Sequence, residues 1–357
     1  MKIIVTAGGT GGHIYPALAI INKFKEKDPA TEVIYVGTHD RMEKDIVPKY
    51  GIKYIPIKIY GFSKTKIFRD IYNIKLIEDA EEQMTKLMME FKPDYVIGTG
   101  GYVTFPVIKA AKFLGIKSFI HEQNAIPGKT NKALAKCVNI VGVSFKEATK
   151  YFKNVKVIYC GNPTGEMAIK AKEITKKDMG LDPLKKLVVI VAGSLGSKTI
   201  NEKMKVFLKG LDKKSYQVLY ITGKDYFMEY GKEIYPSNVK VVPYVENLSG
   251  LLKNTDLMVT RAGASTIAEI IALKVPSIFI PSPYVANNHQ YYNALELKDD
   301  GCGEMLEEKD FSAEKLTYMI DELMVNQTKY QSIKDALEKK KTIESSEMIY
   351  NHITGNL

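Results

Sequence analysis

Small and polar residues gather at several points in the chain, each suited to an anionic or sugar ligand. "TAGGTGGHIYPA" (6–17) sets Gly8, Gly9, Gly11 and Gly12 around Thr10 and ends on His13. Similar stretches are "GTGGYVTFP" (98–106), "AGSLGSKT" (192–199) and "TRAGASTIAEI" (260–270). Glycine admits a ligand to bare backbone, and a helix N-terminus offers it unpaired N–H groups. Polar side chains stand nearby. His121, Glu122, Gln123 and Asn124 follow an apolar run, and Asn287, Asn288, His289 and Gln290 open a helical pattern. Amides and imidazoles both donate and accept, which suits sugar hydroxyls. The same residues also fit plainer roles: helix capping for the Asn pair, and a buried His121–Glu122 pair. Glu269 lies one turn into the helix after Gly263, where a carboxylate can accept both hydroxyls of a ribose. The N–H groups of Ala264 and Ser265 can hold phosphate.

Several other chemistries lack their residues. Gly9-x-Gly11 begins a dinucleotide fingerprint, but Ile14 takes the third glycine position and no acidic residue ends the strand "YVGT". In "AGSLGSKT" Ala and Ser replace both defining glycines of a P-loop. There is no Asp-x-Asp, no His or Cys pair at ligand spacing and no G-x-S-x-G, so neither metal nor serine-nucleophile chemistry is expected. No cofactor is implied. Helix dipoles and backbone N–H groups would stabilise a leaving diphosphate.

Elements that position these residues recur along the chain. Apolar runs at 2–6, 32–37, 54–57, 94–100, 118–122, 138–144 and 155–159 alternate with helical patterns at 16–27, 41–50, 68–91, 105–115 and 129–136. The rhythm restarts at "KKLVVIVAGSLGSKTINEKM" (185–204), with strands at 216–223, 239–244, 256–260 and 275–281. This pattern predicts an α/β chain of two doubly wound, Rossmann-like parallel-sheet domains, with ligands beyond the strands' carboxyl ends and in the cleft between domains. An N-terminal domain over 1–160, a linker over 161–167, a second domain over 168–340 and a helical tail over 341–357 follow; the tail can pack back on the first domain.

Charge is uneven. Residues 1–160 hold 25 Lys and Arg against 15 Asp and Glu, and thereby all of the net charge of +10. Of the 51 cations 48 are lysine, and the scarcity of arginine argues against nucleic acid and for an anionic membrane surface. No run is long enough to span a membrane and no signal-peptide core precedes the first strand, so the sequence predicts a cytosolic chain. Cys137, Cys160 and Cys302 are expected as buried, reduced thiols.

"AGGTGGHIYPALAI", "VGTHDRMEKDIVPKYGI", "GTGGYVTFPV", "HEQNAIPGKTNK" and "RAGASTIAEIIALKVPSIFIPSP…NNHQYYNA" together resemble the MurG family. These are the UDP-N-acetylglucosamine:N-acetylmuramyl-(pentapeptide) pyrophosphoryl-undecaprenol N-acetylglucosamine transferases. The likeness runs in order from residue 1 to about residue 300. It implies a GT-B fold and a metal-independent enzyme. Such an enzyme sits peripherally on the cytoplasmic face of the cell membrane and converts lipid I to lipid II. Wall-synthesis and division proteins are its implied partners. The resemblance assigns UDP-GlcNAc contacts to Thr10, Gly11, Gly12, Asn124, Ser194, Val245, Ala264, Ser265, Thr266, Glu269 and Gln290. Three positions depart from the family: Gly165 stands for an Arg after "GNP", Leu195 for a polar residue, and His289 for a Gln.

Inverting displacement needs a base at the acceptor hydroxyl. The candidates are His13, which is favoured, and Glu122. Ile67, Phe68, Ile71 and Phe113, interleaved with lysines, are expected to form a membrane patch; helix core is the plainer alternative. The rival functions are another UDP-sugar enzyme on the same scaffold, a glycolipid synthase or a UDP-GlcNAc epimerase, and a nucleic-acid-binding protein.

Overall fold

The computed structural model describes residues 1–62, 67–191, 198–340 and 342–355, apart from the side chains of residues 67, 68, 198 and 199. Two compact units emerge: Met1–Glu166 with Ile343–Leu357, and Met167–Thr342.

In chain order the first unit contains β1 (Lys2–Ala7), α1 (Gly11–Lys27), β2 (Glu32–Thr38), α2 (Glu43–Ile46), β3 (Lys53–Ile57), α3 (Ile67–Phe91) and β4 (Tyr95–Gly100). Then come α4 (Thr104–Phe113), β5 (Ser118–Glu122), α5 (Lys129–Leu134), β6 (Ile140–Val143) and β7 (Lys156–Tyr159). Helix α6 (Thr164–Lys170) begins at the boundary. The second unit holds β8 (Leu187–Val191), α7 (Lys198–Lys209), β9 (Gln217–Ile221), α8 (Lys224–Tyr230), β10 (Val239–Val242), α9 (Leu248–Leu252) and β11 (Leu257–Thr260). It continues with α10 (Ala264–Leu273), β12 (Ser277–Phe279), α11 (His289–Asp299), β13 (Glu304–Met305), α12 (Ala313–Val325) and α13 (Gln327–Lys339). The final α14 (Ser345–Thr354) returns to the first unit.

Both sheets are wholly parallel. Their orders are β3-β2-β1-β4-β5-β6-β7 and β10-β9-β8-β11-β12-β13. Strand order therefore reverses between β1 and β4, and again between β8 and β11, the points where open α/β sheets bind ligands. The glycine stretches at 8–12 and 98–101 leave the ends of β1 and β4. In the second unit, 260–263 stands in the same relation to β11, and residues 192–197 lie outside the described residues.

Alternation along the strands divides the first unit's core. Ile3, Val5 and Ala7 join Leu18, Ile21 and Phe24 of α1 and Ile349 and Ile353 of α14. Ile4 faces the opposite layer, with Leu76, Ala80, Met84 and Met88 of α3 and Val107 and Ile108 of α4. Helix α14 is fixed by edge contact between Phe24 and Tyr350 (centroids 4.9 Å apart) and by Lys27 Nζ, 2.7 Å from Glu347.

Element limits differ in places from the sequence pattern. Helix α1 starts at Gly11, five residues before the expected limit, because extended Thr10 offers its carbonyl to the N–H groups of His13 and Ile14. Pro16 is tolerated inside it, leaving the Gly12 carbonyl without an α-helical donor. The 41–50 helix is a four-residue α2 followed by a 3-10 turn at Val47–Tyr50. Cys160 and Cys302 are buried, and burial pushes the Cys160 thiol up to about 12; Cys137 is half-exposed instead.

Candidate functional site

In the first unit the loops beyond β1, β4 and β5 are laced together. The His13 ring sits in the first turn of α1, where its Nδ1 lies 3.0 Å from the Gly8 carbonyl oxygen and 3.4 Å from Thr10 Oγ1. A carbonyl only accepts, so Nδ1 carries a proton. The other face of the ring lies against Gly100, where a Cβ would come within 2.7 Å of His13 Cδ2. Gly100 also has φ +112°, a conformation that side chains avoid. Thr99 Oγ1 donates to the His13 carbonyl (2.7 Å), and Gln123 Nε2 donates to the Thr99 carbonyl (2.7 Å). One hydrogen-bonded line thus runs from α1 through β4 to the loop after β5.

That loop sorts its four polar residues. His121 is fully buried; it donates from Nε2 to the Gly161 carbonyl (2.8 Å) and accepts from Gln123 at Nδ1 (3.0 Å). Its buried partner is therefore Gln123, not Glu122. Desolvation lowers it to about 4, so it is neutral at pH 7 and structural, not a sugar contact. Glu122 accepts at Oε1 from the Asn124 backbone (3.0 Å) and side chain (3.2 Å), and at Oε2 from Gly128 N (3.0 Å) and Asn131 Nδ2 (2.8 Å). Four donors occupy this carboxylate, which leaves it no free lone pair for a substrate proton. It shapes the 123–128 turn and aims Asn124.

The pattern of residues missed Glu43. It is fully buried in α2 and accepts at Oε1 from Thr38 N (3.0 Å) and Thr38 Oγ1 (2.5 Å), and at Oε2 from Gly9 N (3.2 Å). A Cβ on Gly8 would lie 2.4 Å from Glu43 Oε1, so a side chain there would displace the carboxylate. Asp40, Glu43 and Asp45 are close in sequence, and a four-residue helix has too little periodicity to mark which one turns inward.

In the second unit Ala264, Ser265 and Thr266 form the first turn of α10 behind the N-cap Gly263. Buried Asn293 of α11 donates to the Ala262 carbonyl (3.1 Å), and Arg261 pairs with Glu308 (2.6 Å) and donates to the Ile280 carbonyl (3.1 Å). Glu269, half-buried, accepts from Ser249 Oγ (3.3 Å) at the start of α9. Burial raises its carboxyl to about 7, offset in part by the Ser249 hydrogen bond. Val245 is buried in the turn between β10 and α9. Gln290 accepts from Ser282 N (2.9 Å). The two Asn residues do not cap α11 through their side chains; Asn287 and Asn288 take left-handed backbones (φ 55° and 50°), and His289 Nδ1 bonds the Ala286 carbonyl. Ser194 and Leu195 lie outside the described residues. Gly165 is in the first turn of α6. Among the described residues no three His, Cys, Asp or Glu gather as a metal site.

The expected patch divides. Ile71 is 61% and Phe113 80% exposed, with Tyr72 and Ile74 also exposed, so these are not helix core. The side chains of Ile67 and Phe68 lie outside the described residues. Ile71 lies on α3 and Phe113 at the end of α4. No helix of the described residues is long and apolar enough to cross a membrane.

Comparison with known proteins fits this geometry. The glycosyltransferase family 28 N-terminal domain matches residues 3–143, and the family 28 C-terminal domain matches residues 187–347. The chain is 42% identical over 344 residues to the UDP-N-acetylglucosamine--N-acetylmuramyl-(pentapeptide) pyrophosphoryl-undecaprenol N-acetylglucosamine transferase of Bacillus cytotoxicus, covering 95% of this chain and 94% of that one. It is also 42% identical over 341 residues to the transferase of the same name from Halalkalibacterium halodurans, covering 94% of each. The crystal structure of Acinetobacter baumannii MurG superposes with a TM-score of 0.79 at 27% identity, over 99% of both chains. Two Rossmann-like sheets of this order, matched in full by such a structure, make the fold GT-B. The chain belongs to glycosyltransferase family 28 and, within it, to the MurG family of N-acetylglucosamine transferases.

Proposed function

We propose that the chain transfers N-acetylglucosamine from UDP-GlcNAc to the C4 hydroxyl of undecaprenyl-pyrophosphoryl-MurNAc-pentapeptide, converting lipid I to lipid II with inversion. The observation that carries this reading is 42% identity, over 95% of the chain, to a transferase named for that donor and acceptor. The chemistry has a place for each part. The acceptor oxygen attacks C1 of GlcNAc, the bond from C1 to the β-phosphate oxygen breaks, and its electron pair leaves with UDP. His13 Nε2 takes the hydroxyl proton. The Nδ1–H bond to Gly8 supports this assignment by making Nε2 the basic nitrogen of the ring.

The N-terminal amides of α10 receive the leaving diphosphate, Glu269 the ribose hydroxyls, Val245 the uracil through its backbone, and Gln290 the sugar. Thr10, Gly11, Gly12, Asn124 and Ser194 complete the donor contacts. Glu122 acts through Asn124 and not as the base. The enzyme works peripherally at the cytoplasmic membrane face, where exposed Ile71 and Phe113 enter the interface beside lysines and other wall-synthesis and division proteins are its partners. Transfer of labelled GlcNAc to a lipid I analogue tests the reading, with UDP-glucose and UDP-GalNAc as competitors. Incubation with UDP-GlcNAc alone tests the epimerase alternative.

A further inference from the structure

The Gly8–Gly9 peptide has two occupied ends. Its C=O accepts from His13 Nδ1 (3.0 Å), and its N–H donates to Glu43 Oε2 (3.2 Å). A trans peptide points these groups in opposite directions, so the carboxylate and the imidazole are joined in line through one amide. We propose that Glu43 is a positioning residue for His13, acting through this peptide as a carboxylate acts directly on an imidazole in a hydrolytic triad. The inference rests on the assignment of His13 as the base.

Each link has a physical cause. Glu43 uses its carboxyl only as an acceptor, with Thr38 N, Thr38 Oγ1 and Gly9 N as donors. A carboxylate accepting from an amide N–H increases the negative charge on the carbonyl oxygen of the same amide. That oxygen then holds the Nδ1 proton more firmly, fixes the tautomer and stabilises the imidazolium that forms when Nε2 takes a proton. The amide has little freedom to turn away. Gly8 N donates to the Gly100 carbonyl (3.2 Å), and a Cβ on Gly101 would lie 2.4 Å from Gly8 O. Full burial keeps the Glu43 charge from being screened by water.

Other ionisable groups surround the carboxylate: Tyr35 of β2, Tyr54 of β3, Asp40 and Arg41 before α2, Asp45 within it, and Tyr102 after β4. Arg41 lies near the Tyr102 hydroxyl, which raises the guanidinium's pKa. Gly8, Thr10 and Gly100, packed on the His13 ring itself, carry no titratable side chain.

The test uses the full chain labelled with 15N-histidine. Five histidines give few signals, and His13→Gln identifies the relevant one. In the wild type, His13 is expected to carry its proton on Nδ1. Glu43→Gln should lower the His13 pKa, move the acid limb of kcat/KM to lower pH and reduce kcat about 10–100-fold with donor KM unchanged. Glu43→Asp, which keeps the charge, should recover part of the loss. A wild-type His13 protonated on Nε2 overturns the proposal without any variant. So does a folded Glu43→Gln protein with unchanged tautomer and His13 pKa. Undiminished kcat in His13→Ala would remove the base assignment instead, while the ring titration would still report whether Glu43 acts on His13.

Discussion

His13 and Glu269 illustrate how placement selects a role. Removing the His13 imidazole should lower kcat about 10²–10⁴-fold with little change in UDP-GlcNAc affinity. An effect confined to donor KM would contradict its role as base. Gly100→Ala tests the same ring from outside, because a Cβ collides with Cδ2 and the backbone has φ +112°. It should depress kcat while UDP titrates as in the wild type. Glu269 is half ionised near pH 7, since burial raises it to about 7. Ribose hydroxyls donate to the charged form, so binding lowers this pKa. UDP affinity should therefore be full above pH 7 and fall, by up to about tenfold per pH unit, below it. Isothermal titration across that range checks the slope, and Glu269→Gln should flatten it. A flat wild-type profile would remove Glu269 from the ribose.

Elements set these positions through a few buried polar links. Asn293 of α11 holds the Ala262 carbonyl just before α10. Asn293→Ala leaves that carbonyl unpaired, at a cost of about 1–3 kcal/mol. Donor KM should rise more than kcat falls, which steady-state kinetics and thermal melting together would show. On α3 and α4, Ile71→Ser and Phe113→Ser should each weaken binding to anionic vesicles.

The strands and crossover helices were legible because continuous apolar runs alternate with helical periodicity. The glycine loops at their ends were legible because so few side chains occur there. Glu43 was not, since burial of one acid among three depends on the tertiary position of a four-residue helix. Nor was the start of α1, where Pro16 marks a usual helix beginning but Thr10 supplies the actual one. His121 and Glu122 read in sequence as a possible buried pair, which they do not form. Strand alternation sends one to Gly161 and the other to the 123–128 turn, and that follows only once β5 has partners on both sides.

At the scale of the whole chain, α14 belongs with the first unit although it follows the second in sequence. It buries Ile349 and Ile353 against α1, worth about 1.5–3 kcal/mol for each fully buried side chain. Truncation at residue 342 should lower the melting transition of the first unit and leave that of the second in place, as scanning calorimetry would resolve. The most direct measurement of the central claim is transfer of radiolabelled GlcNAc from UDP-GlcNAc to a lipid I analogue by the purified chain with EDTA present. A disaccharide-bearing product with inverted configuration is predicted, and it should be lost in His13→Ala. No transfer to the lipid, or epimerised UDP-sugar from UDP-GlcNAc alone, would contradict the account.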